Sequence, residues 1–270
     1  MLLGAHVRGE RPLAEAAALG AGCVQLFLGD PQSYHKPPTR PDAAELCESP
    51  LPVYVHAPYL INVASPNPRV RVPSRKILAQ TLEAAGDIRA AGVIVHAGHA
   101  EDGIENGYTR WWKVFEELQP AAGPRGVPLM IENTAGGAHA MGRSVETLAR
   151  LWERLEDFDV GLCYDTCHAH AAGEDIVRMA ERLREVCGGV EVVHANSSRD
   201  AAGSGRDRHA NFAEGLIEPG AIVAAVRAAA AAIVICETPW KGIAVDLAFL
   251  RAELGVSGAG VPLTGPRERG

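Results

Sequence analysis

The segment Gly161-Leu-Cys-Tyr-Asp-Thr-Cys-His168 runs apolar into Asp165 and reaches His168 three residues later. A strand that stops on a carboxylate and turns into an imidazole places two groups able to hold a divalent cation at one lip of a fold. The same kind of ending recurs along the chain, at His56, His96, Glu132, Asp165, His194 and Glu237. Any one of them alone would ordinarily be a hydrogen-bonded loop residue. Six together are different, because packing gives no reason to put carboxylates and imidazoles at those points. Two further fragments add donors: His168, and Asp207-Arg-His209, whose carboxylate and imidazole at i and i+2 lie on the same side of an extended loop. Read alone, Arg206-Asp-Arg-His209 would serve equally as a solvated charged loop. With His168 it makes a separate site of two nitrogens and one carboxylate. The nine candidates suit two or three ions with nitrogen and carboxylate ligands and no thiolate, a donor set that fits zinc or manganese. Closed structural zinc sites would leave no position for water or substrate, whereas sites with open positions can activate water.

These residues need elements that bring them to one place. Eight short apolar runs read as strands: Leu2–His6, Cys23–Leu28, Val53–His56, Val93–His96, Leu129–Glu132, Val160–Asp165, Val190–His194 and Ile233–Glu237. Helical patterns lie between them, at Pro12–Leu19, Tyr108–Leu118, Val145–Leu155, Ile176–Val186, Ala221–Ala232 and Ala244–Leu254, with a weaker one at Asp42–Cys47. Ser74 reads as the cap of a long helix over Arg75–Ala91, whose apolar positions recur at about 3.6 residues. Successive strand ends are separated by 22, 28, 40, 36, 33, 29 and 43 residues. That is the spacing of βα units, and eight of them predict a single α/β (β/α)8 barrel in which residues distant in sequence meet at the C-terminal ends of the strands. The expected domain runs over residues 1–256, followed by a loose Gly-, Pro- and Arg-rich tail over 257–270.

Composition agrees with one well-filled domain: 270 residues, 47% hydrophobic and 22% charged, with no low-complexity tract. No segment approaches a membrane span and no secretory signal opens the chain, so a soluble, cytoplasmic protein is expected. The six cysteines are scattered, several inside strand-like runs, and predict buried thiols rather than disulfides. Asn196-Ser-Ser198 matches a glycosylation acceptor only by chance on this reading. The formal charge of −7 argues against binding nucleic acid by bulk attraction. Three divalent ions would bring it to about −1, with the positive charge placed where a phosphate would dock.

At this point the motifs carry a resemblance. His56-Ala-Pro-Tyr-Leu-Ile-Asn62, Val95-His96-Ala-Gly98, Ile131-Glu-Asn-Thr-Ala-Gly136, Asp165-Thr-Cys-His168, Gly205-Arg-Asp-Arg-His209 and Cys236-Glu-Thr-Pro239 resemble, in order, those of the endonuclease IV family of apurinic/apyrimidinic endonucleases. The match covers about Gly4 to Pro239. The resemblance implies three zinc ions. One would be held by His56, His96 and Glu132, a second by the bridging Glu132 with Asp165, His194 and Glu237, and a third by His168, Asp207 and His209. Glu132, Glu237 and Asp165 would be catalytic through that site, and manganese is compatible with one or more positions. The implied partner is double-stranded DNA with abasic sites, cut on the 5′ side to leave a 3′-hydroxyl, by a monomer with no obligate protein partner.

For DNA contacts the resemblance implies Tyr59 as a residue that stacks at the lesion, and it places Gln32 where some members carry an inserting Arg. Arg206 and Arg208, with Arg71 and Lys76, are candidate phosphate contacts. Ser197 stands where the family commonly has Asp, and His6 resembles a residue close to the metals without being a ligand. His99 and His139 receive no role. Two competing readings remain at the level of sequence. One is a divalent-metal sugar isomerase or epimerase of related barrels, which would have no use for the His168, Asp207 and His209 set. The other is a non-catalytic module that binds damaged DNA or stores metal.

Overall fold

Stretches rich in Val, Ile and Leu favour extended backbone because branched side chains fit a pleated, half-buried surface. In the computed structural model, which describes residues 1–119 and 126–256, eight such stretches form a closed parallel barrel. Its strands are β1 (Leu2–His6), β2 (Val24–Leu26), β3 (Val53–His56), β4 (Gly92–His96), β5 (Leu129–Glu132), β6 (Gly161–Asp165), β7 (Val192–His194) and β10 (Ile233–Cys236). They follow one another around the barrel in chain order, and β10 closes on β1 through pairs such as Gly4 with Ile235. Helices α1 (Pro12–Ala18), α2 (Ala43–Glu48), α3 (Pro68–Asp87), α4 (Ile104–Leu118) and α5 (Val145–Arg154) cover the first five gaps. The later helices are α6 (Thr166–Ala172), α7 (Ile176–Val186), α8 (Pro219–Ala229) and α9 (Ile243–Leu254). A two-stranded antiparallel ribbon, β8 (Ser197–Ser198) with β9 (His209–Ala210), stands outside the barrel sheet.

The apolar interior divides in two. The larger cluster lies between strands and helices, with Trp111, Phe115, Leu148 and Leu247 fully buried. The smaller fills the barrel itself with Leu2, Cys23, Tyr54, Ile94, Met130, Cys163, Val192, Ile233 and Ile235. Met130 occupies space that two glycines leave: a Cβ on Gly92 would lie 2.4 Å from its Cε, and one on Gly161 2.7 Å from its Cγ. The six cysteines are free thiols, and among the described residues no helix is long and apolar enough to cross a membrane.

The structure corrects several boundaries. The long helix begins at Pro68, capped by Asn67, whose side chain accepts from Arg69 N at 3.0 Å. Ser74 is therefore inside the helix, buried, and its hydroxyl accepts from Asn62 N at 3.0 Å. Pro68 occupies the first helical position, where no amide is needed. Pro73 removes only one internal bond. Strand β2 stops at Leu26 and not at Leu28, and β7 starts at Val192 and not at Val190. Helix α6 and the β8–β9 ribbon were not anticipated. The predicted tail over 257–270 lies outside the described residues. Asn67→Ala should lower the stability of the protein by about 1 kcal/mol in urea unfolding, the usual loss for a helix cap; an unchanged midpoint would show that the cap carries no weight.

Candidate metal centre

Side chains in a strand alternate between faces, so each inward residue is followed two positions later by another. The barrel uses that alternation to build the site directly on its core. Tyr54 is followed by His56, Ile94 by His96, Met130 by Glu132, Cys163 by Asp165, Val192 by His194 and Ile235 by Glu237. The last apolar layer is thus roofed by imidazoles and carboxylates at the C-terminal ends of the strands. His96 and Glu132 are register partners on β4 and β5, and Asp165 and His194 are partners on β6 and β7.

Glu132 is the centre of the arrangement and is completely buried. Its Oε2 lies 3.2 Å from His56 Nε2 and 3.3 Å from His96 Nε2, while its Oε1 lies 2.9 Å from His194 Nδ1. The two oxygens of one carboxylate therefore face different partners, as a bridging ligand requires. Glu237 Oε2 lies 3.1 Å from the same His194 Nδ1. Asp165 is held by neighbours on both sides. Its Oδ1 accepts from His168 N at 2.7 Å, which makes it the cap of α6, and its Oδ2 accepts from Asn196 Nδ2 at 2.6 Å. Asp165 Oδ2 is also 3.6 Å from His209 Nε2. Asp207 Oδ2 lies 3.1 Å from His168 Nε2, and its Oδ1 3.2 Å from His209 Nε2. All nine predicted ligands meet in this one region. Donor atoms mutually within 4.8 Å group His56 with Glu132 and His194; His96 with His168 and Asp207; Asp165 with His168 and His209; Glu132 with Asp165, His194 and Glu237; and the buried thiol of Cys167 with Asp207 and His209. The side chains are closely interleaved, so His96 stands between two clusters and Asp165 belongs to two.

Two asparagines that follow ligands in sequence act as clamps. Asn133 accepts from Asp165 N at 2.6 Å and donates to Asp165 O at 3.0 Å, and its own carbonyl accepts from His168 Nδ1 at 2.8 Å. Asn196 accepts from Glu237 N at 2.9 Å. His56 donates from Nδ1 to Ala57 O at 2.7 Å. With Nδ1 committed to a carbonyl, Nε2 is the nitrogen that His56 and His168 can each offer an ion once its proton is displaced. His168 Nε2 and His209 Nε2 are buried yet make no hydrogen bond; Asp207 is close to both but out of line. Buried nitrogens left unpaired are uncommon, and these two point into a set of oxygen and nitrogen donors whose chemistry suits zinc.

The electrostatics are those of a cation site. Burial alone would raise the Glu132 carboxyl, but His194, His96 and His56 outweigh it and hold the group well below the ordinary range. Burial lowers His96 to about 4 against the smaller opposing pull of Glu132, so it is neutral and ready to coordinate at neutral pH. Burial also disfavours charge on His194 and His209, yet Glu237 and Glu132 around the first, and Asp165 and Asp207 around the second, raise each to about 9. Their pKa in the folded, metal-free chain therefore exceeds the 6.5 of an ordinary imidazole. The stability that these imidazolium ions contribute is complete below about pH 6.5 and is lost as pH rises through about 9. A metal must displace the same protons, so its affinity moves the opposite way. Chelator-treated protein should melt at a lower temperature at pH 9.5 than at pH 6.5, while apparent zinc affinity rises over that interval; two flat profiles would contradict the assignment.

Comparison with known proteins bears on this geometry. A family model described as a Xylose isomerase-like TIM barrel matches residues 13–253. A Mycobacterium marinum protein named "Probable endonuclease 4" is 56% identical over 256 residues, covering 94% of this chain and 99% of that one. The chain belongs to the endonuclease IV family. The crystal structure of endonuclease IV from Thermus thermophilus superposes with a TM-score of 0.81 at 29% identity, covering 95% of this chain and all of that one. A D-tagatose 3-epimerase-like protein shares the fold, with a TM-score of 0.73 at 19% identity and coverage of 95% and 98%.

In this endonuclease IV-family enzyme a cavity of about 600 Å³ is lined by six of the predicted ligands, His56, His96, His168, Asp207, His209 and Glu237, together with His6, Phe27 and Tyr59. Tyr59 is 52% exposed, its ring 6.1 Å from that of His96 at a 24° interplanar angle, and its backbone N donates to Pro31 O at 2.9 Å. Leu60, which sequence reasoning did not single out, is exposed beside it, and Tyr34 donates to its carbonyl. Gln32 lies exposed on the adjoining loop. Arg208 forms a two-pronged pair with Asp200, and Arg206 Nη1 lies 3.5 Å from the same carboxylate. One Asp thus serves two guanidinium groups next to Asp207 and His209. Arg71 bonds the carbonyls of Ser65 and Pro66, and Lys76 is exposed on α3. Ser197, buried, donates to Ile217 O and accepts from Ile217 N, both at 3.2 Å, so its hydroxyl is used inside the loop. A Cβ on Gly215 would lie 2.0 Å from that hydroxyl. His99 donates to Gly136 O, and Asn62 bonds both backbone groups of His99, joining the loops after β3, β4 and β5. His139 is exposed. Sequence reasoning missed Gln25, which is fully buried among His6, His194 and Glu237. The signal was present: Gln25 follows Cys23 by two residues in the inward-facing row of β2.

Proposed function

We propose that this chain is a zinc-dependent deoxyribonuclease that hydrolyses the phosphodiester 5′ to abasic sites in DNA, leaving a 3′-hydroxyl, in base excision repair. The observation that carries the reading is the nine-ligand cluster gathered around Glu132, whose two carboxylate oxygens face separate sets of imidazoles. His56, His96 and Glu132 would hold one ion; Glu132, Asp165, His194 and Glu237 a second; and His168, Asp207 and His209 a third. Manganese is compatible with the same donors. Bound there, the metals would supply Lewis-acid polarisation of the phosphate and water acidic enough to ionise near neutral pH.

The chain's own groups set the conditions for that chemistry. Four carboxylates, Glu132, Asp165, Asp207 and Glu237, converge on the mouth. A phosphodiester would be repelled by them unless cations neutralised the cluster. Hydrolysis adds the oxygen of water to phosphorus and breaks the bond to the 3′-oxygen, which leaves as the hydroxyl of the upstream nucleotide. The buried walls around Glu132 and His194 exclude bulk water and strengthen every charge interaction on the reacting phosphate. Above them Tyr59 and Leu60 offer an exposed apolar pair suited to stacking where a base is missing. Arg206 and Arg208, beside Asp207 and His209, would meet a flanking phosphate. In this reading the enzyme works as a monomer in the cytoplasm.

Metal analysis of the purified chain should approach three ions, and an abasic-site duplex should be nicked on the 5′ side. Chelation should abolish nicking, and zinc or manganese should restore it. A metal-replete but inert protein would favour the non-catalytic module. Tyr59→Ala should weaken binding to an abasic duplex by about 5- to 100-fold, the range expected from about 1–3 kcal/mol of aromatic stacking. Its melting temperature should not move, because the ring is half exposed; unchanged binding would remove Tyr59 from the DNA contacts.

A further inference from the structure

Gln25 is a polar side chain with no exposure, on the inward row of β2, one layer above Cys23. Its amide touches two of the nine ligands. One end lies 2.6 Å from Glu237 Oε1 and the other 2.8 Å from His194 Nε2. A carboxylate that holds a metal ion is necessarily deprotonated. An ionised carboxylate only accepts hydrogen bonds. The NH2 end of Gln25 must therefore face Glu237, because the opposite orientation would set two acceptor oxygens against each other. Its carbonyl oxygen then faces His194 Nε2, and a hydrogen bond at 2.8 Å between them requires the proton on Nε2.

We infer that Gln25 is a positioning residue that decides which atoms of His194 and Glu237 are presented to the metals: Nδ1 of the imidazole and Oε2 of the carboxylate. This rests on the reading of the cluster as a metal centre. His194 is inverted with respect to its neighbours. His56 and His168 bond backbone carbonyls through Nδ1 and turn Nε2 towards the carboxylates, whereas His194 bonds a side chain through Nε2 and turns Nδ1 towards them. That nitrogen lies 2.9 Å from Glu132 Oε1 and 3.1 Å from Glu237 Oε2, at the meeting point of the two carboxylates. The other NH2 contact of Gln25, to His6 Nδ1 at 2.8 Å, ties the ring of His6 into the same support. A strand-borne amide can therefore fix tautomer and carboxylate geometry together, which no backbone carbonyl does elsewhere in the site.

The test uses the full chain with Zn²⁺ alone. In the zinc-loaded wild type, long-range proton–nitrogen correlation of the imidazoles should show His194 metallated at Nδ1 with a proton on Nε2, and His56 and His168 the reverse. Gln25→Met, similar in size but unable to bond at either end, should release zinc from the Glu132, His194 and Glu237 set about 10- to 100-fold more readily in chelator competition. The ion at His168, Asp207 and His209 should be unaffected. Metallation of His194 at Nε2 in the wild type would overturn the inference, and so would a folded Gln25→Met chain with every zinc affinity unchanged. Either result leaves the nuclease reading standing. A wild-type chain that binds no zinc would overturn both. Should Gln25→Met fail to fold, the wild-type tautomers decide the matter alone.

Discussion

Glu132→Gln is expected to reduce nicking of an abasic duplex by about 10³-fold or more, equivalent to at least about 4 kcal/mol of transition-state stabilisation. The substitution keeps the shape of the side chain but removes its charge, and one of its two ends becomes an amide that cannot coordinate. Both sets of imidazoles lose their shared partner, because His56 and His96 face one oxygen and His194 the other. Metal analysis should show the two ions around Glu132 lost or labile, with the His168, Asp207 and His209 ion retained. The metal-free protein should also be less stable at neutral pH by about 3–5 kcal/mol, since a buried ion network loses its central anion. A variant that kept a tenth of wild-type activity with a full complement of metal would eliminate Glu132 as the bridge.

The second large effect is expected at Asp207, and it separates two enzyme classes on one fold. Asp207→Ala should remove a single ion and lower cleavage by about 10²–10³-fold, the loss typical of deleting one stabiliser of developing charge. Its side chain is 39% exposed and lies between His168 and His209 on a loop, so the fold should not be affected. A sugar epimerase on this barrel would have no use for that loop cluster, and the epimerase-like relative supports shared architecture only. Full nicking by a two-ion Asp207→Ala protein would therefore exclude the three-ion mechanism.

Much of the architecture was legible because one physical property, inward alternation, writes both the core and the site into each strand. Strand ends at His56, His96, Glu132 and Asp165 could be read as they stand, since each closes an apolar run. Gln25 escaped because the apolar run continues to Leu28 while the ladder stops at Leu26, which hid the inward row beneath an outward one. Helix α6 escaped because Asp165 does two things: its carboxylate faces the cluster and also caps the first turn, so the motif looked complete without a helix. The start of α3 was misplaced because Ser74 has the side chain of a cap, whereas the helix already begins at Pro68 behind Asn67 and the Ser74 hydroxyl bonds Asn62 N instead. The set of His168 with Asp207 and His209 was readable, but the close approach of His96 and Asp165 to it was not, since that depends on how the loop folds back over His168. Ser197 stands in the sequence as a departure from the family's Asp, and in the structure its hydroxyl holds Ile217.

The two-residue step from core to ligand also has a consequence for quality control during synthesis. A slip of one residue in β5 would turn Glu132 outward and bring its neighbours into the barrel, and the same holds for each of the other ligand-bearing strands. A mispaired barrel could still collapse around apolar side chains, but it could not assemble the set of donors that grips the ions. Because only the correctly paired form would gain the binding free energy of the ions, metal loading would draw the population towards it. The site would then certify strand register in each molecule before that molecule meets its substrate.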